Sequence, residues 1–425
     1  MAQNEGLTSA CHAPFWHKNL TKFTRWTGFR AGRNLLVEAM VSTVQQGQIV
    51  VPNRGARKRY AGEVVYIYAY DVAYEMTRQP VQWLLGQPVQ ALEIDRDKRT
   101  PRHPFLFKPQ MVRLPPVERM GPYGPVKLDR VVKLLPVGAI SITIRLPFEV
   151  DKVEDLVVFH ELQFDQASLN EEARQLAADI RNELHDYYIR PVEHVLDEEA
   201  YTVFCVEAPL SNAEGVTISA EAWLEAHRRQ VAALLTQEDD VRYLSKQEAD
   251  ESTGRHLSYY QNDVVVIDWD AALIVDEKAD FDETLYIMEL ANLQLAELEA
   301  YDRLLDDSLE RSYRDLSRRN WRGRSHVLHE LKEIRIDLAR LSDELSNITK
   351  FFGDWHLARI YENIAARFHL ADWHRTIDEK LKTLDDLYQL LQHDQTNRIM
   401  VWLEVTIVLL FVVDLVMLFI GLKGP

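Results

Sequence analysis

Hydrophobic and polar positions repeat with two different periods in the two halves of this chain. As far as residue 277 the period is short. EVVYIYAY (63–70), GAISITIRL (138–146), YTVFCVEA (201–208) and DVVVIDWDAALIVDE (263–277) have the lengths and alternation of strands. In the second of these, Ile140, Ile142, Ile144 and Leu146 alternate with Ser141, Thr143 and Arg145. That pattern predicts a strand with one face in the core and the other in water. Helical periods lie between the strands. Ser168 and Glu171 read as a capping box ahead of an apolar face carrying Leu169, Ala173, Leu176, Ile180 and Leu184, and a second helix is expected over 220–235.

Beyond residue 280 the helical period takes over. A helix over 281–317 carries Met288, Ala291, Leu295, Leu298, Leu305, Leu309 and Leu316 on one stripe. A 4-3 spacing then runs through Val327, Leu331, Ile334, Leu338, Leu341, Leu345 and Ile348, and resumes at Ile377, Leu381, Leu384, Tyr388 and Leu391. WRGRS (321–325) and FFGDW (351–355) break the pattern, and a shorter helix between the seams has Leu357, Tyr361, Ile364 and Phe368 on one face. The expected fold is an α+β N-terminal domain, then an antiparallel long-helix bundle or coiled-coil stalk, then one transmembrane helix. In residue numbers this is a basic arm over 1–60, the α+β domain over 61–280, the stalk over 281–398 and the membrane helix over 399–422.

The last segment carries the clearest message. Of 24 residues from Ile399 to Leu422 only Glu404 and Asp414 are charged. A helix of that length reaches about 36 Å, enough for a hydrocarbon layer of roughly 30 Å with some tilt. No apolar leader precedes it at the N-terminus, so the expectation is a tail-anchored protein with its bulk on the side where it was made. That side is the cytosolic face of a bacterial inner membrane, or the matrix face of a mitochondrial one. A carboxylate at mid-bilayer costs about 2.5–3.5 kcal/mol on insertion scales. Asp414 therefore points to self-association or to a second membrane protein.

Charge divides the chain unevenly. Residues 1–150 hold 21 Lys and Arg against 11 Asp and Glu, and residues 151–425 hold 28 against 55, for a net charge of -17. The basic front half is expected to face lipid headgroups, RNA or the acidic rear half of the same chain. FWHKNLTKFTRWTGFRAGR, basic and aromatic, is either an interfacial or targeting helix or an arm packed on the domain. A proline-rich loop is expected over 96–130, whose seven prolines between 100 and 125 oppose long regular structure. Arg96, Lys98, Arg99, Arg102, Lys108 and Arg113 are its candidates for phosphate contacts. Cys11 and Cys205, far apart, form neither a disulfide framework nor a zinc site.

Motifs of catalysis are missing from the sequence: there is no phosphate loop, no GxGxxG after a strand, no GxSxG and no HExxH. His326 and His329 read as solvated helix residues rather than ligands. Asp268 and Asp270, around Trp269, read as a hairpin turn, with a cation-holding pair as the alternative. No catalytic residue, metal or cofactor is assigned.

SHVLHELKEIRIDLARLSDELSNITKFFGDWHLARIYENIAARF, followed by DEKLKTLDDLYQLLQ and NRIMVWLEVTIVLLFVVDLVMLF, resembles the required-for-meiotic-nuclear-division family over residues 260–422. That resemblance implies a C-terminal membrane helix and a membrane-bound assembly, with mitochondrial members linked to organellar translation, and no settled chemistry. DLYQLLQ leading through Asn397 and Met400 into the membrane is also similar to CorA-type magnesium channels. The chain departs from that family in having no Gly-Met-Asn motif and no second span. The function expected is an oligomeric scaffold or tether on a lipid bilayer. A divalent-cation channel and an RNA- or ribosome-contacting tether are its alternatives.

Overall fold

The computed structural model describes residues 49–50, 60–77, 79–91, 110–121, 124–135, 138–164, 167–191, 198–212, 215–317, 336 and 355–421. Thirteen strands come first: β1 Ile49–Val50, β2 Tyr60–Asp71, β3 Ala73–Met76, β4 Trp83–Leu84, β5 Gln87–Pro88, β6 Gln90–Ala91, β7 Gln110–Gly121, β8 Gly124–Leu134, β9 Ala139–Val150, β10 Tyr188–Pro191, β11 Glu199–Glu207, β12 Val264–Ile267 and β13 Ala271–Asp276. Among and after them lie α1 Leu169–Glu183, α2 Ala220–Leu235, α3 Lys246–Thr253, α4 Phe281–Ser317, α5 Trp355–Arg367 and α6 Leu370–Gly421.

Nine strands make one sheet in the order β12-β13-β11-β2-β9-β8-β7-β6, with β1 added beside β9. Among the described strands, β11/β13 and β1/β9 pair in parallel and the others antiparallel. Because successive side chains of a strand point to opposite faces, β2 feeds two cores at once. Val64, Tyr66, Tyr68 and Tyr70 enter one core, with Leu176 and Ile180 of α1 and Trp223 and Leu234 of α2. Val65 and Ile67 enter the other, with Met288 and Leu295 of α4, Ile364 of α5 and Ile377 of α6. The result is a sheet between two helical layers.

The local reasons agree with the sequence. Ser168 accepts the Glu171 N–H at 3.2 Å and Glu171 accepts the Ser168 N–H at 2.8 Å, the reciprocal box that starts α1. Helices α2 and α4 occupy the intervals that periodicity assigned to them. Asp268, Trp269 and Asp270 form the turn between antiparallel β12 and β13, as expected.

Two expectations are overturned. Residues 110–121 and 124–130, read as part of a proline-rich loop, belong to the β-hairpin of β7 and β8. Its register shifts between Leu114 and Val117, so Pro115 and Pro116 sit where the ladder is already interrupted and need no amide donor there. Arg130 donates to the freed carbonyl of Pro115 at 3.1 Å. The second correction concerns β9, whose polar face is not in water. Ser141 and Thr143 are buried, because α4 lies over them.

Candidate functional site

Helix α6 joins the protein core to an apolar end. It starts after His369, whose backbone is left-handed (φ 50°) and turns the chain out of α5. Ile377, Leu381 and Leu384, three residues of the predicted seam, are buried against the α4 layer. Polar contacts set its position along α4. Gln294 lies 3.4 Å from His374, and Lys380 reaches Asp302 and Asp306 at 2.7 and 2.6 Å. These contacts advance in the same sense along both helices, so α4 and α6 run parallel. The seam over 327–348, expected to pack antiparallel, lies outside the described residues. Tyr388 and Leu391 lie on the α6 backbone, their side chains outside the described set.

The same helix then changes character. From Met400 to Leu418, 19 residues have mean hydropathy 2.5 and none is buried. At 1.5 Å per residue this segment is about 28 Å long, close to the hydrocarbon thickness of a bilayer. Trp402 and Phe411 are each at least 70% exposed, a state that water penalises for side chains of that size. Thr406 returns its hydroxyl to the Trp402 carbonyl at 2.7 Å, so this polar group needs no outside partner. Glu404 and Asp414 stand on this uncovered part of the helix. Between Leu384 and Met400 the helix advances about 24 Å, which separates the packed end from the apolar end.

Polar groups inside the protein lie mostly where α4 crosses the sheet, and sequence reading did not find them. Glu289 of α4 is buried and accepts from Lys133 of β8 and, at 2.6 Å, from Ser141 of β9. Thr143 adds a longer contact at 3.4 Å, and the Lys133 ammonium lies 5.3 Å from the centre of the Tyr286 ring. Near the start of α4, Arg145 bridges Glu63 (3.2 Å) and Asp282 (2.6 Å). Arg367, at the end of α5, donates to buried Asp268 and reaches Glu251 of α3 at 3.3 Å. The only sequence signal for the first two sites was the polar side of β9. It names Ser141, Thr143 and Arg145 and says nothing of their partners.

These arrangements are charged contacts between layers, and the Lys133–Glu289 pair lines a small pocket with Ser141, Tyr286 and Leu293. Among the described residues, no group of three or more His, Cys, Asp or Glu is placed to hold a metal ion. Cys205 is buried in the sheet, and burial pushes its thiol well above the usual range. Of the phosphate-contact candidates, Arg113 is exposed on β7, while Arg96, Lys98, Arg99, Arg102 and Lys108 lie outside the described residues. His185 and Asp186 are exposed neighbours 3.6 Å apart, and His326 and His329 lie outside the described set.

Comparison with known proteins bears on the head. A stretch of 168 residues is 26% identical to uncharacterized protein MJ0711 of Methanocaldococcus jannaschii, covering 38% of this chain and 50% of that protein. The chain thus spans about half the length of this relative. No solved structure matches. A family described as "Uncharacterized protein MJ0711, N-terminal domain" matches residues 61–282, which run from the start of β2 to the first turn of α4. With more than half of its residues inside that match, the chain belongs to the MJ0711 N-terminal domain family.

Proposed function

We propose that this protein is a membrane-anchored assembly protein. The Met400–Leu418 part of α6 enters a lipid bilayer, and copies of the chain associate through it. One observation carries the reading: a continuous helix of 52 residues is rooted in the core at one end and predominantly apolar and uncovered at the other. Lipid removes the cost of exposing that end to water, at about 25 cal/mol for each Å² of apolar surface covered. Asp414 supports association, because a carboxylate deep in hydrocarbon is stabilised by a polar partner that an isolated helix does not offer. The likeness of residues 260–422 to the required-for-meiotic-nuclear-division family agrees with an anchored, assembled protein.

The full chain is expected to sediment with membranes and to stay there through an alkaline carbonate wash. Release into the aqueous fraction would end the anchoring reading. In detergent, the native mass should be a multiple of 49.4 kDa. Asp414→Leu should shift that mass toward the monomer. A monomeric wild type, or an oligomer indifferent to the change, removes Asp414 from assembly. Magnesium flux into liposomes carrying the protein separates this reading from an ion channel, since a scaffold passes none.

A further inference from the structure

Among the described residues, charged contacts join α4 to the sheet at three places. Glu289 is matched by Lys133, while Arg145 stands between Asp282 and Glu63. The third contact lies where β2 ends and β11 begins. Glu199 stands opposite Ala69 in the antiparallel register, and Ala69 packs with Leu293 and Ala296 of α4. Glu199, and Asp71 two residues past Ala69, therefore share the α4-facing side of the sheet.

Into this place α4 brings Glu299 and Arg303, 3.6 Å apart. The neighbouring charges are already engaged or are more acid. Glu198 is held by Arg174 at 2.8 Å, Asp302 by Lys380 at 2.7 Å and Asp268 by Arg367, while Asp270 adds another carboxyl from the turn before β13. Next to Asp71, β9 supplies Ala139 and β3 the backbone N–H of Ala73. Among the described residues, one guanidinium, that of Arg303, serves Asp71, Glu199 and Glu299.

A second observation at this contact is an unsatisfied buried acceptor. Asn292 of α4 is fully buried and donates to the Glu199 carbonyl at 2.9 Å, and its own Oδ1 has no donor. A bare buried acceptor is satisfied by a carboxyl O–H and repelled by a carboxylate. Burial pushes Asp71 up to about 7 against the pull of Arg303 and the Ala73 N–H. Burial, with Glu299 and Asp270 nearby, pushes Glu199 up to about 8. Burial also raises Glu299, with Arg303 opposing.

We propose that this contact is a proton-operated joint. With its carboxyls protonated, the C-terminal half of α4 seats on the ends of β2 and β11. With them ionised, that half of α4 loosens from the sheet together with the part of α6 clamped to it. The sign follows from linkage. Between the ordinary carboxylate range and about pH 8 the folded state holds more protons than the unfolded one, so this contribution to stability falls as pH rises.

Hydrogen exchange on the full chain in detergent, at about pH 5.5 and about pH 8.5 and corrected for the intrinsic rate, reads the joint directly. Protection over 292–306 and 370–384 should fall about tenfold or more relative to the centre of β2, for each pKa unit of linkage expressed. The double change Asp71→Asn, Glu199→Gln should abolish that difference. An equal loss in α4 and β2, or a pH response that survives in the double variant, overturns the proposal. If the double variant does not fold, Glu299→Gln alone decides, because removing one repelling carboxyl must shrink the wild-type response. A response of unchanged size overturns the proposal as well.

Discussion

Glu289→Ala is expected to cost about 3–5 kcal/mol of folding stability, the range for removing one partner of a buried ion pair. Only 16% of the Lys133 side chain is exposed, so the ammonium left behind has little access to water. Ser141 loses its acceptor at 2.6 Å in the same step. Most of the loss comes from what remains unpaired rather than from what is removed. The double variant Lys133→Met, Glu289→Leu should therefore recover most of it, since apolar groups of similar volume carry no desolvation cost. Chemical denaturation in detergent, followed through the midpoint at constant slope, measures both. A single-variant loss below about 1 kcal/mol would mean that water reaches Lys133 and that the plug is a surface pair.

Arg367→Met should have an effect of similar size, about 3–5 kcal/mol, at the other end of the helical layer. Asp268 is 6% exposed, and one of its oxygens takes both the Arg367 donors and the Trp269 N–H at 2.8 Å. Its second oxygen is buried without a partner, so loss of the guanidinium leaves an uncompensated carboxylate. Arg367 also ties α5 to Glu251 of α3. The consequence extends to the turn at His369 and the start of α6, where hydrogen exchange should accelerate. Arg367→Lys should rescue only part of the loss, because an ammonium cannot present two fixed donors to one oxygen. Full rescue by lysine would show that charge alone, and not the guanidinium fork, holds the turn.

Much of the chain was legible before folding was considered. The strand at 63–70, the capping box at Ser168, the helix at 220–235 and the long helix at 281–317 all lie where local pattern put them. The hairpin over 110–134 was not legible, because prolines were counted against regular structure without regard to position. Two adjacent prolines fit one register shift and leave the rest of the ladder intact. The polar face of β9 misled for a related reason. Alternation reports which residues share a face and not whether that face meets water or a helix with matching charges.

The candidate sites divide in the same way. Met400–Leu418 was visible as a run of apolar residues, since hydropathy over 19 positions needs no neighbour to be meaningful. Lys133 and Glu289 lie 156 residues apart, and no spacing in the sequence connects them. The parallel sense of α4 and α6, and the surplus of carboxyls around Arg303, likewise exist only once the chain has closed on itself.

Sequence alone determined most of the helices and several of the strands, and that one helix ends in a stretch suited to lipid. These are properties of residues close along the chain, set by backbone geometry and transfer from water. Tertiary structure alone decided which charge meets which, because a buried ion must be matched by whatever the topology brings beside it. The sheet order sets Arg145, Lys133 and the pair Asp71 and Glu199 along the track of α4, and at the last place Arg303 faces three carboxyls.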